Sequence, residues 1–344
     1  MLAPNTVFVT GASGFIAKHI VVKLLNAGFH VIGSVRSLGR ADEVRAAVRP
    51  HLDSVDDLDT RLRFTQLDLG SDQGWDNALQ GCDILMHTAS PFPMTQPYDA
   101  EALIRPAVDG ALRTMRAAKA AGITRVVMTS SSVAIMSTDL PPGRTVHTED
   151  DWTDIRHPCA TAYAKSKTLA EQAAWAFVES DAPETQLTTI NPVLVLGPPL
   201  DGHFGTSIAL VERVLRAKDP MIPQFGLGIV DVRDVAEMHL RALTHDGTVG
   251  KRFIAADRFI WFHEIAEVLK TAYPDRRIVT RRAPNFVVRV LALFDKSIRT
   301  ILPELGKCAE ISNARARKGM GMEFIDTADS IRASGAWLID QKVV

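Results

Sequence analysis

The sequence has little of what marks a secreted, metal-binding or membrane protein. Of its 344 residues only three are cysteines, Cys82, Cys159 and Cys308, far apart and odd in number. That argues against a disulfide framework or a clustered zinc site and fits a reducing compartment, so the expectation is a cytoplasmic protein without a metal. Tyrosine is equally scarce, with three residues. No sign of charge dominates: 39 Lys and Arg stand against 40 Asp and Glu. Such a balance offers nothing to attract a nucleic acid. Uncharged apolar runs of membrane-spanning length are missing. Met1-Leu-Ala-Pro-Asn5 enters a strand-like segment without a basic leader or cleavage site. One apolar stretch, Pro284 to Asp295, is too short to span and carries Arg289; it is expected to dock on the core or wall a pocket. The remaining composition, 46% hydrophobic and 23% charged, suits a soluble chain with one large or two modest domains.

Thr6-Val-Phe-Val-Thr10 is β-branched and aromatic, as a buried strand requires. It ends in Gly11-Ala-Ser13-Gly14-Phe15-Ile16-Ala17, and a helical period follows from Lys18 to Ala27. Strand, glycine turn and helix form the context of a dinucleotide-binding fingerprint. Gly11 permits the tight turn, Gly14 lets the backbone approach a pyrophosphate, and the helix N-terminus offers free N–H groups. The third position is Ala17, small enough for close helix–strand packing. Phe29–Val35 is the next strand, with Arg36 directly after it and Arg40 one turn beyond. An acidic residue there would take the ribose 2′-hydroxyl of NAD, whereas arginine accommodates the 2′-phosphate of NADP. The expected cofactor is therefore NADP(H).

Later strands are Leu62–Leu67, closed by Asp68 and Leu69, and Cys82–His87, closed by Thr88, Ala89, Ser90 and Phe92. Thr124–Thr129 runs into Ser130, Ser131 and Ser132, and Leu187–Leu196 is interrupted by Pro192. A helix is expected over 99–121. The alternation predicts an α/β fold, a doubly wound parallel (Rossmann) sheet of order 3-2-1-4-5-6 with a smaller, mostly helical C-terminal substrate lobe. Residues 1–196, with 229–257 returning, would form the cofactor-binding domain; 197–228 and 258–344 would form the lobe.

Tyr163 and Lys167 stand four residues apart in a helical stretch, so they share one face. A tyrosine with a pKa of about 10 is a poor acid–base group at neutral pH; a cation beside it is expected to bring that value down. A surface pair satisfies the same spacing, and a serine triplet is usually a loop. The glycine turn and the strand end before the serines give both a place at the ligand-binding edge of a sheet.

Together, Val9–Ala17, Tyr163-x-x-x-Lys167 and the serines after Thr129 resemble the extended short-chain dehydrogenase/reductase superfamily. Gly14–Val21, Val31–Ser37, His87–Phe92, Leu103–Gly110, Arg125–Ser131, Ala170–Trp175, Asn191–Pro198 and Asp231–Val235 resemble its branch of dihydroflavonol reductases, cinnamoyl-CoA reductases and yeast methylglyoxal/aldehyde reductases. The resemblance implies Tyr163 as catalytic acid–base, Lys167 on the nicotinamide ribose and Ser131, with Ser130 and Ser132 as its neighbours, on the substrate carbonyl. It implies Gly11, Ser13, Gly14, Phe15, Ile16, Arg36, Arg40, Asp68, Leu69, Thr88, Ala89, Ser90, Thr129, Pro192 and Val193 along the cofactor. Asp109 stands where yeast relatives have asparagine, which removes it from the catalytic set.

Phe92, Val133, Pro199, Phe204, Phe225 and Ile229 are candidate walls of a substrate pocket that also includes Ser131 and Tyr163, mostly apolar and suited to a hydrophobic carbonyl compound. The expected activity is an NADPH-dependent aldehyde or ketone reductase, acting as monomer or homodimer on a small molecule. Two alternatives remain: a nucleotide-sugar epimerase/dehydratase or hydroxysteroid-type dehydrogenase, and a non-catalytic NADP-sensing regulator on the same fold.

Overall fold

The structure is a computed structural model that describes residues 5–90, 99–294, 299, 301–307 and 309–344. Phe92 and Cys308 lie outside the described residues. In chain order the strands are β1 (Thr6–Thr10), β2 (His30–Val35), β3 (Leu62–Gln66), β4 (Ile84–His87), β5 (Arg125–Thr129), β6 (Val146–His147), β7 (Gln186–Pro192), β8 (Leu194–Leu196), β9 (Gly226–Asp231), β10 (Lys251–Ala255), β11 (Arg258–Trp261) and β12 (Glu310–Ile311). One seven-stranded sheet runs β10-β7-β5-β4-β1-β2-β3, with every neighbouring pair parallel. The expected order therefore holds, and β10 adds a strand outside β7.

Parallel strands with both faces covered must be apolar throughout. In β1, Val7, Phe8 and Val9 are all fully buried. Val7 and Val9 face a core shared with helix Phe15–Asn26 and helix Val232–Thr244, while Phe8 faces the opposite core. There helices Glu101–Ala120 and Ala162–Ser180 meet through Ala107, Ala111, Ala118, Ala170 and Ala174, small residues that let two backbones approach.

Several boundaries differ from those read in the sequence. The stretch 187–196 is not one strand. β7 ends at Pro192, and β8 pairs with β9 in a separate sheet of order β11-β9-β8. Pro192 lacks an N–H for a continuing ladder, and the chain leaves the large sheet after it. The first helix begins at Phe15, directly after Gly14. The C-terminal region contains β11 and β12 besides its helices, and β12 pairs with β6 from the long 135–158 connection. The apolar stretch after Pro284 is not packed away. Its helix, Asn285–Leu291, buries Val288, and Ala292 follows on the same side. Phe286, Leu293 and Phe294 are 70%, 69% and 84% exposed, because so short a helix has one inward stripe. Among the described residues no helix is long and apolar enough to cross a membrane.

Phe253 in β10 is fully buried, and a Cβ on Gly319 would lie 3.2 Å from its ring. Phe253→Ala is expected to cost about 3–5 kcal/mol of stability, read as a lower urea midpoint. A shift worth under about 1 kcal/mol would contradict this packing.

Candidate functional site

β1 has β2 on one side and β4 on the other, so the connections from their ends diverge and leave a crevice at the carboxyl edge. A cavity of about 560 Å³ occupies it, lined among others by Gly11, Ser13, Gly14, Arg36, Asp68, Leu69, Thr88, Ala89 and Ser90. That volume lies within the range of small-molecule sites, about 300–1,000 Å³.

The cavity floor is built without side chains. Gly11 has φ +63°, in the left-handed region, and a Cβ there would sit 2.9 Å from Ala89 Cβ. Its N–H donates to Ser34 Oγ at 3.0 Å, and Ala12 N–H donates to Ser34 O at 2.9 Å. Ala12 lies against β2 at Gly33, where an added Cβ would come within 2.6 Å of Ala12 Cβ. Thr10 ties the opposite wall: its Oγ accepts from the N–H groups of Thr88 and Ala89, each at 3.0 Å. With both acceptor positions used, the Thr10 hydroxyl donates its proton to His87 Nδ1, 3.0 Å away. Burial, followed by the Lys167 charge, lowers the His87 pKa to about 3, so the ring is neutral.

Arg36 is exposed at the cavity rim and has no hydrogen bond or ion pair among the described residues. A backbone cradle at a helix start beside a free guanidinium suits a dinucleotide carrying an extra phosphate. Arg40 instead pairs with Glu43 at 2.6 Å. Asp68 accepts from Gly70 N–H at 2.7 Å, and Leu69 packs where a Cβ on Gly110 would be 3.3 Å away.

The second part of the site lies beyond β5. Helix Ala162–Ser180 is capped by Thr161, whose Oγ accepts from Ala164 N–H at 3.1 Å. It presents Tyr163 and, one turn on, Lys167, whose Nζ is 6.0 Å from the Tyr163 ring centroid. Both are partly open to solvent yet enclosed by protein. Ser131, extended at φ −161° and ψ 151°, hydrogen-bonds the Tyr163 phenol. The other serines have different surroundings. Ser130 Oγ donates to the fully buried Glu171 at 2.5 Å, and Ser132 begins the short turn Ser132–Ala134.

The expected lowering of the tyrosine pKa is reversed here. Burial pushes Tyr163 up to about 12, with the Ser131 bond opposing it. Burial also brings Lys167 down to about 8, opposed by Glu171. Desolvation penalises the charged form of each group, and at 6.0 Å the cation does not offset it. Tyr163 is consequently a phenol, and Lys167 is mostly protonated at neutral pH.

Other residues named from sequence do not line this cavity. Phe15 and Ile16 pack against the core and do not line the cavity. Thr129 Oγ is hydrogen-bonded to His239 Nε2 at 2.7 Å, beneath the sheet edge. Pro192 is buried at the end of β7, and Val193 N–H donates to Ala255 O at 3.1 Å. Phe204 packs edge-on to Trp337 at 5.5 Å, Phe225 lies against Phe262 at 5.0 Å, and Ile229 is fully buried. These three belong to the core around β9. Pro199 is buried, and Val133 follows the serines with its N–H donating to Ser131 Oγ at 3.4 Å. Asp109 pairs with Arg105 on an exposed helix face. Sequence reasoning missed Thr10, Ser34, His87, Glu171 and Asn191. Ser34 and Thr10 are polar residues at strand ends, a signal that was available.

The sequence matches the family described as NAD dependent epimerase/dehydratase over residues 7–256. Among similar proteins, tetraketide alpha-pyrone reductase 1 of Arabidopsis thaliana is 34% identical over 81% of this chain and 84% of its own length. The NADPH-dependent methylglyoxal reductase GRE2 of Saccharomyces cerevisiae is 33% identical over 78% of this chain and 83% of its own. Gre2 of Candida albicans in complex with NADPH superposes with a TM-score of 0.81 at 29% identity, covering 98% of this chain and 99% of that one. The yeast methylglyoxal/isovaleraldehyde reductase Gre2 complexed with NADPH gives 0.79 at 27% identity, covering 98% and 100%. This chain belongs to the NAD dependent epimerase/dehydratase family, that is, the extended short-chain dehydrogenases/reductases, in the branch of Gre2-like and cinnamoyl-CoA reductase-like enzymes.

Proposed function

We propose that this protein is an NADPH-dependent carbonyl reductase acting on an aldehyde or ketone. The observation that carries the reading is the Ser131–Tyr163 hydrogen bond, with the Lys167 ammonium one helical turn away, at the carboxyl edge of β5. Gly11, Ser13 and Gly14 would hold the pyrophosphate, and Arg36, with Arg40, the 2′-phosphate. Asp68 and Leu69 would serve the adenine, Thr88, Ala89 and Ser90 the length of the cofactor, and Thr129, Pro192 and Val193 its nicotinamide end. In this reading residues 1–196 and 229–257 form the cofactor-binding part. Residues 197–228 and 258–344 would close the substrate side, with Val133 and Pro199 among the pocket walls.

When bound, NADPH supplies the hydride that reduces the carbonyl carbon. Ser131 and Tyr163 both donate hydrogen bonds to the carbonyl oxygen, where negative charge develops. Tyr163 then transfers its proton to that oxygen. A phenol held near pKa 12 is a stable proton carrier for reduction. The Lys167 cation keeps the departing charge on the tyrosine oxygen favourable.

One observation weakens the dehydratase alternative. That chemistry needs a free carboxylate beside the serine, and residues 130–134 contain none. The nearby Glu171 is buried and saturated with donors.

NADPH oxidation measured across aliphatic, aromatic and dicarbonyl aldehydes and ketones, and repeated with NADH, tests the reading. Turnover is expected with NADPH, and Tyr163→Phe is expected to lose at least about 100-fold in kcat while NADPH affinity stays within a few-fold. A protein that binds NADPH but oxidises it with no member of the panel would instead be a sensor. One that retains NAD through purification would be an epimerase-type enzyme.

The pH profile follows from Lys167. Its cation is present below its lowered pKa of about 8 and is lost as the pH rises through that value. Reductive kcat/KM is expected to hold through neutral pH and then fall about tenfold per unit above an apparent pKa near 8. A profile flat from pH 6 to 10 would remove Lys167 from this role.

A further inference from the structure

Tyr163, Lys167 and Glu171 recur at four-residue spacing on helix Ala162–Ser180, yet only the first two enter the reaction described above. Glu171 has no exposure at all. Its Oε2 accepts from Ser130 Oγ at 2.5 Å, Asn191 Nδ2 at 2.8 Å and Arg252 Nη2 at 3.3 Å. Its Oε1 accepts from Arg252 Nε at 2.7 Å, Thr189 Oγ at 2.9 Å and Trp175 Nε1 at 3.3 Å. A buried ion pair is weak evidence for stability, because an apolar pair of the same volume often serves as well. What distinguishes this one is where its bonds lead.

Ser130 precedes Ser131, and Asn191 Nδ2 also donates to the Ser131 carbonyl at 3.2 Å. Ser131 is therefore fixed from both sides by groups that end on the same carboxylate. Arg252 continues outward from β10. Its Nη1 donates to the carbonyls of Glu149 and Asp151 at 2.9 and 2.7 Å, and its guanidinium lies 3.6 Å from the Trp152 ring centroid. The connection that leads into the Tyr163 helix is thereby fastened to the edge of the large sheet.

We propose that Glu171 is the positioning residue of this site, aligning Ser131 through Ser130 and Asn191 and sustaining the positive charge of Lys167 one turn away. The inference rests on the reading of Ser131, Tyr163 and Lys167 given under the proposed function. The charged or titratable groups around Lys167 are Glu171 on its own helix, Tyr163 one turn before it and His87 at the end of β4. His87 is neutral and Tyr163 is a phenol at working pH. Glu171 is the carboxylate among them whose charge opposes the lowering of the Lys167 pKa.

The test is Glu171→Gln, which keeps the volume and removes the charge. It is read by kcat, by NADPH affinity and by the pH dependence of Lys167 labelling with an amine-reactive reagent, followed by peptide mass spectrometry. The expected result is a kcat lower by about 10- to 100-fold with NADPH affinity within about threefold. The Lys167 labelling midpoint is expected to move down by about one pH unit. A folded variant with unchanged kcat and unchanged labelling overturns the proposal, even if its melting temperature falls.

Should Glu171→Gln fail to fold, Asn191→Ala cuts the tie to the Ser131 carbonyl and leaves the Glu171–Arg252 pair in place. It is expected to lower kcat about tenfold without moving Lys167 labelling; wild-type kcat in that variant overturns the proposal. If the wild-type protein reduces no carbonyl, the functional reading has failed. The labelling shift still decides whether Glu171 supports Lys167.

Discussion

Desolvation at one face of helix Ala162–Ser180 is the constraint on which the chemistry depends. Removing a tyrosine and a lysine from water pushes each toward its neutral form. The two respond differently because their neighbours differ. Glu171, one turn beyond Lys167, receives two bonds from an arginine and four from neutral donors. Lys167 has that carboxylate one turn away and keeps its proton at neutral pH. Tyr163 has a serine hydroxyl and a cation 6.0 Å distant, and remains a phenol. In the proposed reaction, burial and hydrogen bonding together set the proton donor apart from the cation.

The cofactor side follows a different logic, in which absence of side chains is the design. Gly11 and Gly33 let the β1 turn lie against the 88–90 segment and against β2, and hydroxyls at the strand ends absorb the backbone N–H groups this exposes. Thr10 Oγ serves two such groups and fixes the His87 tautomer as well. Arg36 is the exception, exposed at the rim without a hydrogen bond or ion pair among the described residues, so pairing it with a phosphate breaks none of these.

How much of this was legible in the sequence depended on range. The glycine turn, the strand after it and Arg36 are contiguous signals, and the strand–turn–helix–strand order of residues 6–35 is legible apart from the first turn of the helix. The strand through Pro192 is harder to read, because a proline that interrupts a strand and one that marks a change of sheet look the same in sequence. The tyrosine pKa misled for a physical reason: the sequence reveals a cation four residues away but not the dehydration that outweighs it. Glu171 was legible by continuing the four-residue spacing one more step. Its partners were not, since Ser130, Asn191 and Arg252 come together only when β5, β7 and β10 are placed side by side. Phe204, Phe225 and Ile229 show how little an apolar residue in sequence says of its place, since all three pack with the cluster around β9.

The account stands on Tyr163 being held as a phenol by its surroundings. With three tyrosines in the chain, Tyr98, Tyr163 and Tyr273, labelling at the ring Cζ yields a spectrum simple enough to titrate, with Tyr163→Phe assigning the signal. The Tyr163 resonance is predicted to remain that of the phenol through pH 10, where an ordinary tyrosine is about half ionised. A phenolate signal at neutral pH in the free protein would contradict it.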